Sequence, residues 1–303
     1  AQGAPTQANA APIRRRKFAR LRRAPLWTQA MARRRVAVRR VLAAVVLIAS
    51  RGVALSVTPS LRNGNASTAT SLSAASATRQ SARNAPCQCE VSNPAWQACQ
   101  RTQPRCVFID LGAADGNSFN HFLANGFGPV NNCPSGTWEA HLVEANPRFD
   151  PPLKQLETKY PGQVKASKST AAFFCEGSTT FYLDTQNHQH NYWGSSLSSN
   201  HPDAQKSGLQ NVQVHLMNLN RLLFESTIPS DWVMVKVDIE GAEYDILPCL
   251  AQSPSASLID RMYVEEHQPS WSITGGTKEA LEVAKKTLRA RGVDIPAYFS
   301  QTL

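Results

Sequence analysis

Three times in this chain an apolar run stops at an acid: CVFIDLG at Asp110, HLVEANP at Glu144 and VMVKVDIEG at Asp238. A run with no polar alternation marks a strand covered on both faces, and such strands belong to parallel sheets. Helical patterns separate the runs. NSFNHFLANG sets Phe119, Phe122 and Leu123 at helical spacing ahead of Gly126, and FDPPLKQLETKY follows Asn146-Pro147. TKEALEVAKKTLRARG places Leu281, Ala284 and Leu288 on one face, with Gly292 just after it. VKASKSTAAFF, TTFYLD, VQVHLMNL and RMYVEEH are further strand candidates. Strands alternating with helices predict an α/β fold with a central, mostly parallel sheet flanked by helices. In such sheets ligands bind beyond the carboxyl ends of the strands, which makes the three acids candidate site residues.

The charge distribution divides the chain. Half of its 32 Lys and Arg residues precede Glu90, the first acid, so the remainder carries 16 basic against 22 acidic groups, a balance of −6. The overall +10 is therefore an N-terminal property and gives no reason to expect a nucleic-acid face on the folded part. Residues 1–40 form the basic segment. Residues 41–57 are apolar except for Ser50, Arg51, Gly52 and Ser56, slightly short of the roughly 20 residues that a spanning helix prefers. Two readings fit: a cleaved signal peptide with its core at Val41 to Ala49, or a short signal anchor with Arg51 reaching the interface. Either sends the bulk of the chain into the secretory lumen, with the arginines holding the other end in the cytoplasm. An organellar presequence for chloroplast or mitochondrion is the alternative, since the first 89 residues are rich in Arg, Ser and Ala and lack acids. Met31 offers a start that would leave the first 30 residues without a structural role.

Residues 58–86 are mostly Ser, Ala, Thr, Asn and Arg and read as a disordered stem, with one glycosylation sequon at Asn65-Ala66-Ser67. From Cys87 the chain reads as one folded domain, 87–303. Cys87, Cys89, Cys99 and Cys106 crowd its start, followed by Cys133, Cys175 and Cys249. Disulfides stapling a short irregular segment suit this spacing better than a zinc site, for which no His or Cys pair follows nearby. The pairing stays open, and the odd cysteine is expected to be a buried free thiol.

GAADG does not supply the G-x-G-x-x-G turn of a dinucleotide site, and Asp110 just ahead of it would repel a phosphate. A cationic ligand with hydroxyls fits better. DLGAADG and VEANP resemble the first two motifs of class I methyltransferases, and KVDIEGAEYDIL resembles the signature of the FkbM-type methyltransferases. KSTAAFF, CEGSTTFYLD, WGSSL, VHLMNLNRLL and YVEEH follow in that family's order, so the resemblance runs from about Cys106 to His267. It implies a Rossmann-like class I methyltransferase fold and transfer of a methyl group from S-adenosylmethionine (SAM) to a hydroxyl, often on a sugar. By the same resemblance, Asp110, Gly112 and Gly116 would form the methionine end of the cofactor site. Glu144 would accept both ribose hydroxyls, and Ser169 to Ala172, with Ser169 and Ala171 as named contacts, would lie beside the adenine.

Asp238 and Glu240 stand where related methyltransferases keep substrate-facing or metal-binding groups, and His267 ends the next strand, where it would take a proton near neutral pH. No metal is assigned. In KVDIEGAE the bland alternative is a buried strand with an ion pair from Lys236 to Glu240 or Glu243. The segment DTQNHQHNYWGSSLSSNHPD reads as a loop whose Tyr192 and Trp193 would stack on a sugar ring, beside His188, His190 and His201. The leading expectation is a lumenal, membrane-anchored O-methyltransferase acting on a glycan, as a Golgi single-pass type II protein. An organellar enzyme acting on a small molecule or lipid, and a non-catalytic SAM-binding or basic tethering protein, are the alternatives.

Overall fold

The computed structural model describes residues 87–128 and 138–298. The basic segment, the apolar block 41–57, the stem with its sequon, Met31 and Cys133 lie outside the described residues. Among the described residues no helix is long and apolar enough to cross a membrane.

The elements are β1 (Cys106–Leu111), α1 (Asn117–Leu123), β2 (Trp138–Val143), α2 (Asp150–Lys159), β3 (Val164–Ser167), β4 (Thr170–Phe173) and β5 (Gly177–Tyr182). They continue with α3 (Pro202–Lys206), β6 (Asn211–Asn218), α4 (Leu219–Ser226), β7 (Trp232–Val237), α5 (Glu243–Leu250), β8 (Arg261–Val264) and α6 (Lys278–Ala290). Five strands form one sheet in the order β3-β2-β1-β7-β8, every pair parallel, as the continuous apolar runs predict. The order reverses beside β1, so the tips of β2, β1 and β7 are neighbours and the three acids share one edge.

Alternation along the strands fills both faces. Val107, Ile109 and Leu111 of β1 join Val143, Val233, Val235 and Val237 in the larger core. Phe108 points the other way, against Phe119 and Phe122 of α1, with Leu142 and Met234. Its ring stacks on Phe122 with centroids 4.6 Å apart. Leu281, Ala284 and Leu288 form the buried stripe of α6, which Thr277 caps by accepting the Ala280 amide, and Gly292 follows at φ +95°.

Two expectations change. VKASKSTAAFF is not one strand: Ser169, at φ +49°, turns the chain between β3 and β4. β4 then starts a second sheet, β4-β6-β5, in which β4 and β6 are parallel and β5 is antiparallel. The cysteines at the start of the domain also do not pair with one another. Cys87 bonds Cys175 and Cys89 bonds Cys249, so the irregular segment ahead of β1 is stapled to the end of β4 and to α5. Cys106 is disulfide-bonded as well, and the free Cys99 is half-buried rather than buried. After α6 the described chain adds no strand, only a parallel bridge from Asp294 to Arg261, in keeping with the short VDIPAYFSQTL tail.

Candidate active site

A cavity of about 540 Å³ opens at the tips of β2, β1 and β7, within the range of small-molecule sites. Gly112, Glu144, Lys236, Asp238 and Glu240 contribute to its walls. The turn after β1 is built by backbone bonds to β2: the Gly112 and Ala113 amides both donate to the Val143 carbonyl, at 3.0 and 3.1 Å. Gly112 has φ +80°, and a Cβ there would lie 1.8 Å from the Asp238 carbonyl oxygen. The close approach that demands glycine is thus to the neighbouring strand tip. Gly116, at φ +87°, would drive a Cβ to 2.4 Å from Leu156 of α2, so it serves helix packing and lies outside the cavity wall.

Glu144 is buried, and both of its oxygens are held by backbone. Oε2 accepts from the Ala114 amide at 2.8 Å and Oε1 from the Asn146 amide at 2.6 Å. Burial pushes its carboxyl up to about 7 against the pull of those amides. Parallel register sets Asp110 opposite Lys236. The ammonium lies 3.2 Å from Asp110 Oδ1 and 3.1 Å from Asp238 Oδ2, and donates to the Gly112 carbonyl at 3.2 Å. Burial raises Asp110 to about 6 against Lys236, while the two carboxylates hold Lys236 above the ordinary lysine range despite its burial. Lys236 therefore pairs with Asp110 and Asp238, not with Glu240 or Glu243. Asp110 is not a wall residue: it lies fully buried beside Lys236, which is one.

The signature block divides its acids between two tasks. Glu240 adopts φ +51° and Gly241 φ +104°, and a Cβ on Gly241 would meet Trp271 at 2.4 Å. This turn brings Asp238 and Glu240 to the cavity, where Ser196 Oγ holds the Glu240 carbonyl at 2.8 Å. Glu243 and Asp245 instead hold loops. Glu243 accepts from the Gly241 and His267 amides at 3.0 and 2.8 Å, and Asp245 from the Ile273 and Thr274 amides at 3.1 and 3.2 Å.

His267 stands against three carboxylates: Nδ1 is 3.2 Å from Glu243 Oε1, and Nε2 is 3.4 Å from Glu240 Oε2 and 3.7 Å from Asp238 Oδ1. Burial works against a charged ring, but the carboxylates outweigh it and raise the imidazole to about 10. The expectation that His267 takes a proton near neutral pH requires the neutral ring, which these three carboxylates disfavour unless another cation meets their charge.

Of the expected adenine contacts, Thr170, Ala171 and Ala172 line the cavity, whereas Ser169 donates to Asp150 Oδ2 at 3.1 Å and lies outside the wall. His190, Tyr192 and Trp193 line it from the loop. The Arg148 guanidinium covers the Tyr192 ring, 3.6 Å from its centroid. His188 pairs with the Tyr192 hydroxyl, and His201 is buried with Nε2 at 3.2 Å from Glu240 Oε2. Asn146, which donates to Ser195 Oγ at 3.0 Å, was not singled out from the sequence, and neither was the role of Glu243. The capping position Asn146-Pro147 was the only trace of the first; a third acid in the signature was the only trace of the other.

Residues 110–292 match the family model described as the Methyltransferase FkbM domain. No curated protein and no solved structure matches the chain.

Proposed function

This chain belongs to the FkbM methyltransferase family, and from that premise we propose that it takes SAM as methyl donor and methylates a hydroxyl oxygen on a sugar or glycan. The observation that carries the donor assignment is Glu144, a buried carboxylate fixed by two backbone amides at the cavity wall. A carboxylate held this way has lone pairs left for two adjacent hydroxyls, which suits a ribose diol. The carboxylates of Asp110, Asp238, Glu240 and Glu243 outnumber Lys236 and His267 nearby, a field that favours a cation. Ala171 and Ala172 line the cavity and would face the adenine, with Gly112 and Asp238 toward the methionine.

When bound, SAM supplies an electrophilic methyl on a positively charged sulfur. The chain's own residues must align the acceptor and remove its proton as the oxygen–carbon bond forms and the sulfur–carbon bond breaks. Asp238 and Glu240, at the cavity wall, are the groups placed to take that proton, and His267 stands beside both carboxylates. Tyr192 and Trp193 at the cavity give flat faces for a sugar ring. The disulfides Cys87–Cys175 and Cys89–Cys249 favour an oxidising compartment, which supports a glycan of the secretory pathway as acceptor.

Calorimetric titration of the full chain with SAM tests the donor. Saturable binding is expected, weakened at least 100-fold by Glu144→Ala; absence of binding by the wild type removes the reading. Labelled SAM with a panel of sugars then identifies the acceptor.

A further inference from the structure

The geometry points to a divalent-cation site formed by Asp238, Glu240 and His267 at the cavity wall. One ligand atom from each of the three lies within 4.8 Å of the others, and no other group of three or more His, Cys, Asp or Glu among the described residues does this. The spacing is wider than that of a hydrogen-bonded cluster. His267 Nε2 is 3.4 Å from Glu240 Oε2 and 3.7 Å from Asp238 Oδ1, both outside the usual range of about 2.7–3.2 Å for a hydrogen bond. Two donors each about 2.1 Å from one ion, at tetrahedral to octahedral angles, stand about 3.0–3.5 Å apart. The two His267 separations lie at and just beyond that figure, and all three ligand atoms lie within 4.8 Å of one another, so an inward movement of the side chains would seat an ion.

The surroundings provide an independent indication. A metal-ligating histidine characteristically gives its other ring N–H to a carboxylate, which fixes the tautomer and aims the free nitrogen. His267 has that arrangement: Nδ1 faces the buried Glu243, whose Oε1 also accepts the His267 amide. Trp271 stacks on the ring at 5.8 Å, and Tyr244 holds the His267 carbonyl at 2.8 Å. The carboxylates are oriented too. Lys236 occupies Asp238 Oδ2 and leaves Oδ1 toward His267. His201 takes the Asp203 amide on Nδ1, so its Nε2 carries the proton that it offers to Glu240 Oε2. It therefore positions Glu240 and is not itself a ligand.

Two carboxylate oxygens and one imidazole suit a cation of intermediate hardness such as Mn²⁺. Asp238 and Glu240 line the cavity, so remaining coordination positions would face the acceptor. There an ion would hold two neighbouring hydroxyls of a sugar and ease loss of the reacting proton. This task rests on the methyl-transfer reading; the location of the ion does not.

Chelator-treated full chain is titrated with Mn²⁺ alone, and the free-ion resonance is followed by electron paramagnetic resonance. One saturable site is expected, with nitrogen coupling from one imidazole in the pulsed spectrum. Asp238→Asn and His267→Gln should raise its Kd at least tenfold, and Glu243→Gln about 10-fold to 100-fold. No saturable binding, binding without nitrogen coupling, or binding that His267→Gln leaves unchanged overturns the proposal. The nitrogen signal is read on the wild type and so does not depend on any variant folding. SAM titration of the same metal-free protein separates the two claims. SAM binding without Mn²⁺ binding sinks the ion and leaves the donor, and the reverse leaves the ion without the donor.

Discussion

Glu139 and Glu144 lie five residues apart at the two ends of β2, and the fold treats them in opposite ways. Glu139, at the start of the strand, is buried among Arg105, His141 and Lys165, and their hydrogen bonds and charges outweigh burial to hold its carboxyl well below the usual range. Glu144, just past the strand's end, has only two backbone amides and a cavity, and burial raises it to about 7. A paired acid at one end of the sheet stabilises the fold. An acid left without a cation at the other end costs stability unless a ligand completes it.

The contrast is sharpest where backbone geometry sets the tip. Gly112→Ala would put a Cβ 1.8 Å from the Asp238 carbonyl at a left-handed φ, and is expected to cost at least ~3 kcal/mol and to abolish SAM binding. Denaturant melts and calorimetry check this; a variant with native stability would mean the β1 and β7 tips are not packed as described. Glu144→Gln comes next. It should weaken SAM at least 100-fold, about 2.7 kcal/mol, while moving the melting temperature little, because the lost acceptor is offset by removal of a buried charge. Glu139→Gln should do the reverse. Its partners Arg105 and Lys165 are partly exposed, so the expected loss is only ~1–2 kcal/mol of stability, with SAM affinity unchanged. If the two variants gave the same pattern, the functional distinction between the two ends would fail.

The comparison also explains what the sequence disclosed. The tips of β1, β2 and β7 were legible because strands buried on both faces read as apolar runs, and an acid ending such a run is conspicuous. Glu139 was not legible as a structural acid: its cations come from positions 105, 141 and 165, and only register brings them together. The same holds for Lys236. Its pairing with Asp110 follows from parallel register between β1 and β7, which local spacing to Glu240 cannot reveal. Gly116 and Ser169 sit in turns whose sequence suits either a ligand or a packing contact, and only the position of Leu156 and Asp150 decides for packing. The split of VKASKSTAAFF between two sheets was hidden because a positive φ at a serine leaves no periodic signature.

The smallest expected effect separates the two ends by pH. A carboxyl raised from 4.5 to about 7 on folding gives the native state a tighter hold on the proton. Its stabilising contribution is full below 4.5 and is lost as pH rises through 7. Lowering the pH from 7 to 6 should therefore stabilise the SAM-free protein by ~1 kcal/mol relative to Glu144→Gln, which lacks the titration. SAM affinity should fall about fivefold over the same step, since the ionised fraction of Glu144 drops from about one half to about one tenth. Asp110, raised to about 6, and His267, raised to about 10, add stability in the same direction, so the Glu144→Gln reference is what isolates Glu144. Glu139 stays ionised across this interval and contributes nothing to it. Parallel pH curves for wild type and Glu144→Gln would place the charge of Glu144 in water rather than in the cavity wall, and would break the contrast at its functional end.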